Sequence, residues 1–311
     1  MNILDGFTGT AVMAQKFKSY GLETSACDHL RFCYSLADCH LSFNEQPTFP
    51  NLNIGQPVLE FLNQIEGRAD FITKYYSPYD GNPRMYLTVE NAMKVDAIRI
   101  QIEEWKEKSL LTIHEFNYLL ATLLYAINLV SNITGTYGAY LKFWEGRATK
   151  KLRLQEIRVF NNGKVNQAHN LDIQDVITKG FDFVYLDPPY NSRSYFSNYF
   201  LLEIVAKGWF EHKPIPEGQT GIPKNLSVKS EFTSKQNAIG AFHNVLSRAE
   251  AKVIAISYNN EGIVSQEKLV EVLKNYGKTE VYEVEHKRYR SINQTGQVNK
   301  TKELLLTVRK K

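Results

Sequence analysis

The sequence predicts an α/β protein built on a mostly parallel sheet, with a mainly helical block set into it and an antiparallel pair of strands near its end. Three observations carry that expectation. The chain opens on a strand, a glycine turn and a helix; an apolar strand at 181–186 stops abruptly at Asp187-Pro188-Pro189-Tyr190; and between them, over 47–153, the periodicity becomes helical. Strands alternating with helices imply crossovers and a parallel sheet. Near-continuous apolar strands are what a sheet covered on both faces requires.

The elements follow in order. Ile3 and Leu4 running into Asp5 read as the end of a strand, followed by a glycine-bearing turn and a helix over 11–20. A second strand is expected at 24–28 and a second helix at 29–41. Within 47–153, helical spacing dominates at 88–108 and 113–130, with aromatic and Gly-rich loops around it. The α/β pattern resumes with the strand at 181–186, helices at 199–210 and 235–249, and a strand at 253–257. Residues 213–233 hold Pro, Gly, Ser and Lys without apolar periodicity, which reads as a long surface loop of the kind that often forms a mobile lid. Segments 279–288 and 303–308 are extended and suited to antiparallel pairing, and there is no internal repeat.

A chain of 311 residues suffices for one large domain with an insertion or for two smaller ones. Its 43% hydrophobic and 23% charged residues exclude a disordered or fibrous chain. A net charge of +4 permits nucleic-acid binding without demanding it. Cys27, Cys33 and Cys39 match neither a zinc-ligand spacing nor an even disulfide framework, so they read as reduced thiols of a cytoplasmic protein. His29 and His40 lie nearby without ligand-pair spacing, and no metal is expected. Neither a run of about 18 apolar residues nor a basic-then-apolar leader is read in the chain, so no membrane is expected as a partner.

The chemistry concentrates at Asp187-Pro188-Pro189-Tyr190. A strand ending there sets the tetrad at the carboxyl edge of the sheet, where open α/β sheets bind ligands. Two prolines fix the backbone and remove two donors, leaving carbonyls to accept. An exocyclic amine on an aromatic base is a poor nucleophile, because its lone pair is delocalised into the ring. The carboxylate of Asp187 and the carbonyl of Pro188 can accept its two hydrogens and aim the lone pair, while the Tyr190 ring offers a stacking face. A bare Pro-Pro pair would only end a strand in a turn; the full tetrad at a strand end asks for more.

This tetrad resembles motif IV of the amino-methyltransferases, and its DPPY form looks like the Dam-like (alpha-type) DNA adenine N6-methyltransferases. Asp5-Gly6-Phe7-Thr8-Gly9-Thr10 resembles their motif I, DxFxGxG, with Thr10 where a second glycine is usual. The resemblance implies a Rossmann-like S-adenosylmethionine-dependent methyltransferase domain over 1–46 and 154–311, with 47–153 as a helical target-recognition insertion. It implies that Asp187, Pro188, Pro189 and Tyr190 are catalytic, and that Asp5, Phe7, Gly9, Asp28, Asp172 and Asp187 border the cofactor, S-adenosyl-L-methionine.

Asp28 ends the second expected strand about twenty residues after the glycine turn, where an acid can accept from ribose hydroxyls. Asp172, fifteen residues before the tetrad, resembles the motif III acid. Tyr195, Asn198 and 199–203 resemble motif V, although an amphipathic helix explains Tyr199, Leu202 and Glu203 as well. Ser257-Tyr258-Asn259 looks like a later motif that shapes the target pocket. Lys142, Arg147, Lys150, Lys151, Tyr195 and Arg288 are the candidate nucleic-acid contacts, with solubilising charge as the alternative for the basic ones.

Family members normally carry a segment with motif X ahead of motif I, whereas here the glycine turn starts at Asp5. The expectation is that this segment lies upstream of Met1, comes from another chain, or is lacking at the expense of cofactor binding. Expected partners are double-stranded DNA and a cognate restriction endonuclease. Rival readings are the same chemistry on cytosine, RNA or a glutamine amide, and a non-catalytic DNA-binding relative. The leading Asp favours adenine.

Overall fold

The structure, a computed structural model, describes residues 1–178, 180–192, 194–226, 230–287 and 300–310. Two compact units make up the chain, one of residues 1–29, 164–194 and 229–311, the other of residues 30–163 and 195–228.

The first unit contains β1 (Asn2–Asp5), α1 (Val12–Ser19), β2 (Glu23–Cys27), β3 (Gln167–His169), α7 (Ile173–Val176), β4 (Phe181–Leu186), α9 (Ala238–Arg248), β7 (Ala251–Asn259), α10 (Gln266–Lys274), β8 (Gly277–Lys287) and β9 (Lys300–Lys310). Among the described residues its strands form one seven-stranded sheet in the order β3-β2-β1-β4-β7-β9-β8. All neighbours pair parallel except β9, which is antiparallel to both β7 and β8. The expected mostly parallel sheet with a terminal antiparallel hairpin is therefore present. From β1 the chain goes to β2 on one side and returns at β4 on the other, so the carboxyl ends of β1 and β4 flank the point where the strand order reverses.

One face of this sheet is held by Leu4, Val184, Leu186, Ile254, Ile256, Leu304, Leu306 and Val308, packed with Phe242, Val245 and Leu246 of α9 and Leu269 and Leu273 of α10. Each such side chain contributes roughly 1.5–3 kcal/mol when buried. On α1, Phe17 meets Phe183 and Tyr185 edge-on at 6.3 and 6.1 Å. Helix α10 has no counterpart in the sequence expectations. Its signal is Ser265, whose side chain accepts from Lys268 N–H, ahead of the apolar spacing Leu269, Val272 and Leu273.

The second unit contains α2 (Arg31–Leu41), α3 (Val58–Gln64), α4 (Phe71–Tyr76), α5 (Val89–Glu107), α6 (Ile113–Val130), α8 (Tyr195–Lys207) and the two-residue strands β5 (Pro216–Glu217) and β6 (Ile222–Pro223). It reaches beyond 47–153 because α2 packs on α6 and α8. The buried carboxylate of Glu203 on α8 accepts the N–H groups of Arg31 and Phe32 at 3.0 and 2.9 Å, satisfying the first donors of α2. By length and composition α6 is apolar enough to cross a bilayer, contrary to the sequence expectation, yet most of it lies buried inside this unit as its core helix. A capping box of Thr112 and Glu115 starts it.

Two further differences have local causes. The helix expected at 199–210 is α8 at Tyr195–Lys207: Tyr199, at φ −132°, bends it, and Gly208, at φ +80°, ends it. The segment 213–233 is not irregular throughout. Strands β5 and β6 pair antiparallel, and the Arg84 guanidinium donates to the carbonyls of Tyr75, Gly218 and Gln219 at 3.1, 2.9 and 3.2 Å, holding that hairpin in place.

Candidate active site

At the carboxyl end of β1, Asp5 is 1% exposed. The Thr8 hydroxyl donates to its Oδ2 at 2.8 Å. Burial pushes the Asp5 pKa up to about 7; the Thr8 hydroxyl and the Ala14 N–H oppose the rise, and the carboxylates of Asp187 and Asp28 add to it. Gly6 donates to the Tyr185 carbonyl at 2.8 Å. A Cβ on Gly6 would lie 2.6 Å from Leu186 Cδ2 and 2.7 Å from Ile173 Cδ1, so any larger residue there must displace the Leu186 and Ile173 side-chain ends that pack against this turn.

The turn is also stitched to β2. Thr8 N–H donates to the Cys27 carbonyl at 3.1 Å, and Gly9 N–H donates to Asp28 Oδ2 at 3.0 Å. Left-handed backbone falls on Gly9 (φ 52°) and Ala11 (φ 61°). Thr10, where the second glycine was expected, needs no such freedom. Phe7 is half-buried with its ring edge-on to Phe232, 5.1 Å between centroids.

Asp28 is half-buried at the end of β2, its N–H donating to the His169 carbonyl at 3.1 Å. Asn170 Nδ2 donates to the carbonyls of Asp28 and His29, each at 3.0 Å, and so fixes the backbone around the acid. Asp172 is exposed, and its Oδ1 accepts Gln174 N–H at 2.9 Å as the cap of α7. It lies near Asp28 all the same: the Cys27 thiol, pushed up first by burial, is pushed further by both carboxylates.

The tetrad leaves the end of β4 as foreseen. Pro188 is buried, Pro189 half-buried, Asp187 open to solvent on one side and Tyr190 36% exposed. Surrounding protein raises the Asp187 pKa to about 6, with a further push from the Glu303 carboxylate; water on the open side limits what this costs the fold. The Tyr190 carbonyl accepts Ile263 N–H at 2.8 Å, and the Tyr190 ring meets Tyr258 edge-on at 6.2 Å. Asp5, Gly9, Asp28 and Asp187 thus gather at adjacent strand ends β2, β1 and β4 within the first unit.

The sequence marks Tyr258 within a motif but gives no motif role to Asn170, Phe232 or Glu303, and it shows Thr8 only as part of the glycine turn. Thr8 carried a signal, since a hydroxyl three residues after an acid in a turn can bond back to it. Glu303 carried none: it lies 116 positions after Asp187 and reaches it only through sheet register.

The candidate nucleic-acid contacts lie in the second unit, apart from Arg288, which falls outside the described residues. Lys142 and Lys150 are exposed, and their side chains make no ion pair among the described residues. Arg147 is committed: its guanidinium donates to the Ile133 carbonyl and to Glu145, the latter at 3.2 Å. Lys151 faces Glu90 at 3.9 Å. Tyr195 is half-buried, stacked on Phe32 with centroids 6.4 Å apart and tilted against Tyr199 at 4.8 Å. Cys27, Cys33 and Cys39 are buried and form no disulfide among the described residues. Among the described residues no cluster of three or more His, Cys, Asp or Glu has the form of a metal site.

Comparison with known proteins fits this arrangement. The chain is 38% identical over 294 residues to Type II methyltransferase M.FokI of Planomicrobium okeanokoites, covering 92% of this chain and 45% of that protein. It is 40% identical over 309 residues to modification methylase StsI of Streptococcus sanguinis, covering 97% of this chain and 46% of that one. With Type II methyltransferase M.NlaIII of Neisseria lactamica it shares 33% identity over 288 residues, 92% of this chain and 83% of that protein. The chain therefore spans about half the length of the first two relatives. No solved structure matches it. A family model matches residues 2–293, and the chain belongs to the D12 class N6 adenine-specific DNA methyltransferase family.

Proposed function

We propose that this chain is a site-specific DNA adenine N6-methyltransferase that uses S-adenosylmethionine and serves as the modification enzyme of a restriction–modification system, acting in the cytoplasm. The observation that carries the reading is the convergence of Asp5, Gly9, Asp28 and the 187–190 tetrad at the point where the strand order reverses.

The residues present fit the cofactor. Among the described residues no cation pairs with the buried Asp5 carboxyl, so a cationic methionine moiety would supply the missing countercharge. The turn at Gly6 and Gly9 brings backbone close, and Asp28 has the position to accept from ribose hydroxyls. When bound, S-adenosylmethionine supplies an electrophilic methyl group.

This chain's residues do the rest. A flipped adenine stacks on the partly exposed Tyr190 ring. Asp187 and the Pro188 carbonyl accept the two amine hydrogens, localising the nitrogen lone pair. With a pKa raised to about 6, the Asp187 carboxylate is also placed to take the proton that the amine loses after transfer. Exposed Lys142 and Lys150 of the helical unit are assigned to backbone phosphates, and this unit is assigned target recognition. The modification role draws on the relatives' names, StsI being called a modification methylase, and a cognate endonuclease would be the companion.

Transfer of labelled methyl from S-adenosylmethionine to unmethylated DNA, followed by nucleoside analysis, tests the reading. Label in N6-methyladenine that vanishes in Asp187→Ala supports it. Label in another nucleoside, in RNA or in protein transfers the chemistry to another acceptor. Absence of label and of cofactor binding by titration calorimetry makes the chain a non-catalytic relative.

A further inference from the structure

Glu303 stands in β9 opposite Asn259 of β7. Its Oε1 accepts Asn259 Nδ2 at 3.0 Å. Asn259 is buried at 6% exposure, and its own Oδ1 accepts Glu261 N–H at 2.8 Å while its carbonyl accepts Gly262 N–H at 2.9 Å. The next two amides of this turn grip the site: Ile263 N–H donates to the Tyr190 carbonyl at 2.8 Å and Val264 N–H to the Tyr258 hydroxyl at 3.2 Å. Tyr258 in turn meets the Tyr190 ring edge-on. An unbroken relay of short contacts thus runs from Glu303 to the last residue of the tetrad.

The same carboxylate acts directly on the corner. Glu303 is the charged neighbour that pushes Asp187 up beyond the effect of burial, and it also pushes up Tyr190 and Tyr185. The other titratable groups around Asp187 are Asp5 at the end of β1, Tyr185 on β4, and Tyr190 with Glu261 beyond it; each is an acid or a phenol. A carboxylate added to such a corner, with no cation beside it among the described residues, raises the negative potential where a methylated amine would gain positive charge.

We propose that Glu303 is a positioning residue for the 187–190 corner: it orients Asn259 and through it the 259–264 turn that grips Tyr190, and its charge sets the potential beside Asp187. The proposal rests on the methyltransferase reading for its purpose but not for its test.

Two substitutions separate the two actions. Glu303→Gln keeps an acceptor for Asn259 and removes the charge; Glu303→Ala removes both. In protein carrying 13C at aspartate carboxyl groups, with the Asp187 signal assigned by its loss in Asp187→Asn, the Asp187 titration midpoint should fall by about half a unit or more in Glu303→Gln. Exchange of the Ile263 amide should stay slow in Glu303→Gln and become roughly tenfold or more faster in Glu303→Ala. In methyl transfer, the acid limb of the rate profile should move to lower pH in the Gln variant, and kcat should fall about tenfold or more in the Ala variant with the KM for cofactor held. An unmoved Asp187 midpoint in Glu303→Gln overturns the electrostatic part, and equal Ile263 exchange in the two variants overturns the relay. If Glu303→Ala fails to fold, Ile263 exchange in Asn259→Ala replaces that arm, and unaltered exchange there overturns the relay. A protein that transfers no methyl yet shows both effects would sink the functional reading and leave the role of Glu303 standing.

Discussion

The amide of Gly9 donates to Asp28 Oδ2 at 3.0 Å, so the glycine turn after β1 and the acid after β2 form one unit. An acid that holds the cradle closed, and that we propose also accepts from the cofactor, is doubly exposed to mutation. Asp28→Ala is expected to weaken S-adenosylmethionine binding by about tenfold or more, the loss of one or two hydrogen bonds to a charged group. Titration calorimetry reads it; unchanged affinity would remove Asp28 from the cofactor site.

Asp5 supplies a pH test. Its folded pKa is about 7 against an ordinary 3.8. A raised folded pKa means that the stability contributed by this group is fully present below about 3.8 and is lost as pH rises through about 7. The ligand-free protein should therefore lose thermal stability across that window, and Asp5→Asn should lose less. Cofactor affinity should run the other way, rising towards neutral pH as the countercharge forms, with proton release visible as a buffer dependence of the binding heat.

Asp187 marks the difference between folding and chemistry. It lies beyond the end of β4 with one side open to water, so Asp187→Ala should leave the unfolding midpoint within a few degrees of the parent while methyl transfer disappears. Retained transfer would take the amine away from Asp187.

Asp96 is the opposite case. Fully buried on α5, it accepts from the amides of Asp70, Ile72 and Thr73 at 2.9, 2.8 and 2.9 Å and from the Thr73 hydroxyl at 2.6 Å, which caps α4. Asp96→Ala strands those donors and should cost about 3 kcal/mol or more in denaturant unfolding.

The helical unit is tested by salt. Lys142→Ala and Lys150→Ala should each lower the slope of log affinity for DNA against log salt by about 1, without affecting cofactor affinity. Arg147→Ala should also weaken binding, but with a loss of stability, because Arg147 ties the Ile133 carbonyl.

What the sequence revealed followed the range of its signals. Strands β1 and β4 and helices α5 and α6 were legible because their periodicity is local and strong. Helix α8 slipped by four residues at its start because Tyr199 departs from helical angles inside an otherwise helical run. The hairpin at 216–223 escaped notice because Arg84, more than a hundred residues earlier, supplies what holds it. The tetrad and glycine turn were readable as motifs, whereas Glu303 became part of the site only through the pairing of β9 with β7.

That pairing also sets an order of assembly. Strand β9 is made after every other described strand, yet it lies between β7 and β8, which cannot join the sheet to each other without it. During synthesis β7 must wait with an unpaired edge until residues 300–310 have cleared the ribosome. The 259–264 turn then lacks Glu303, so a nascent chain carrying every recognisable motif still has no finished 187–190 corner until the last described strand arrives.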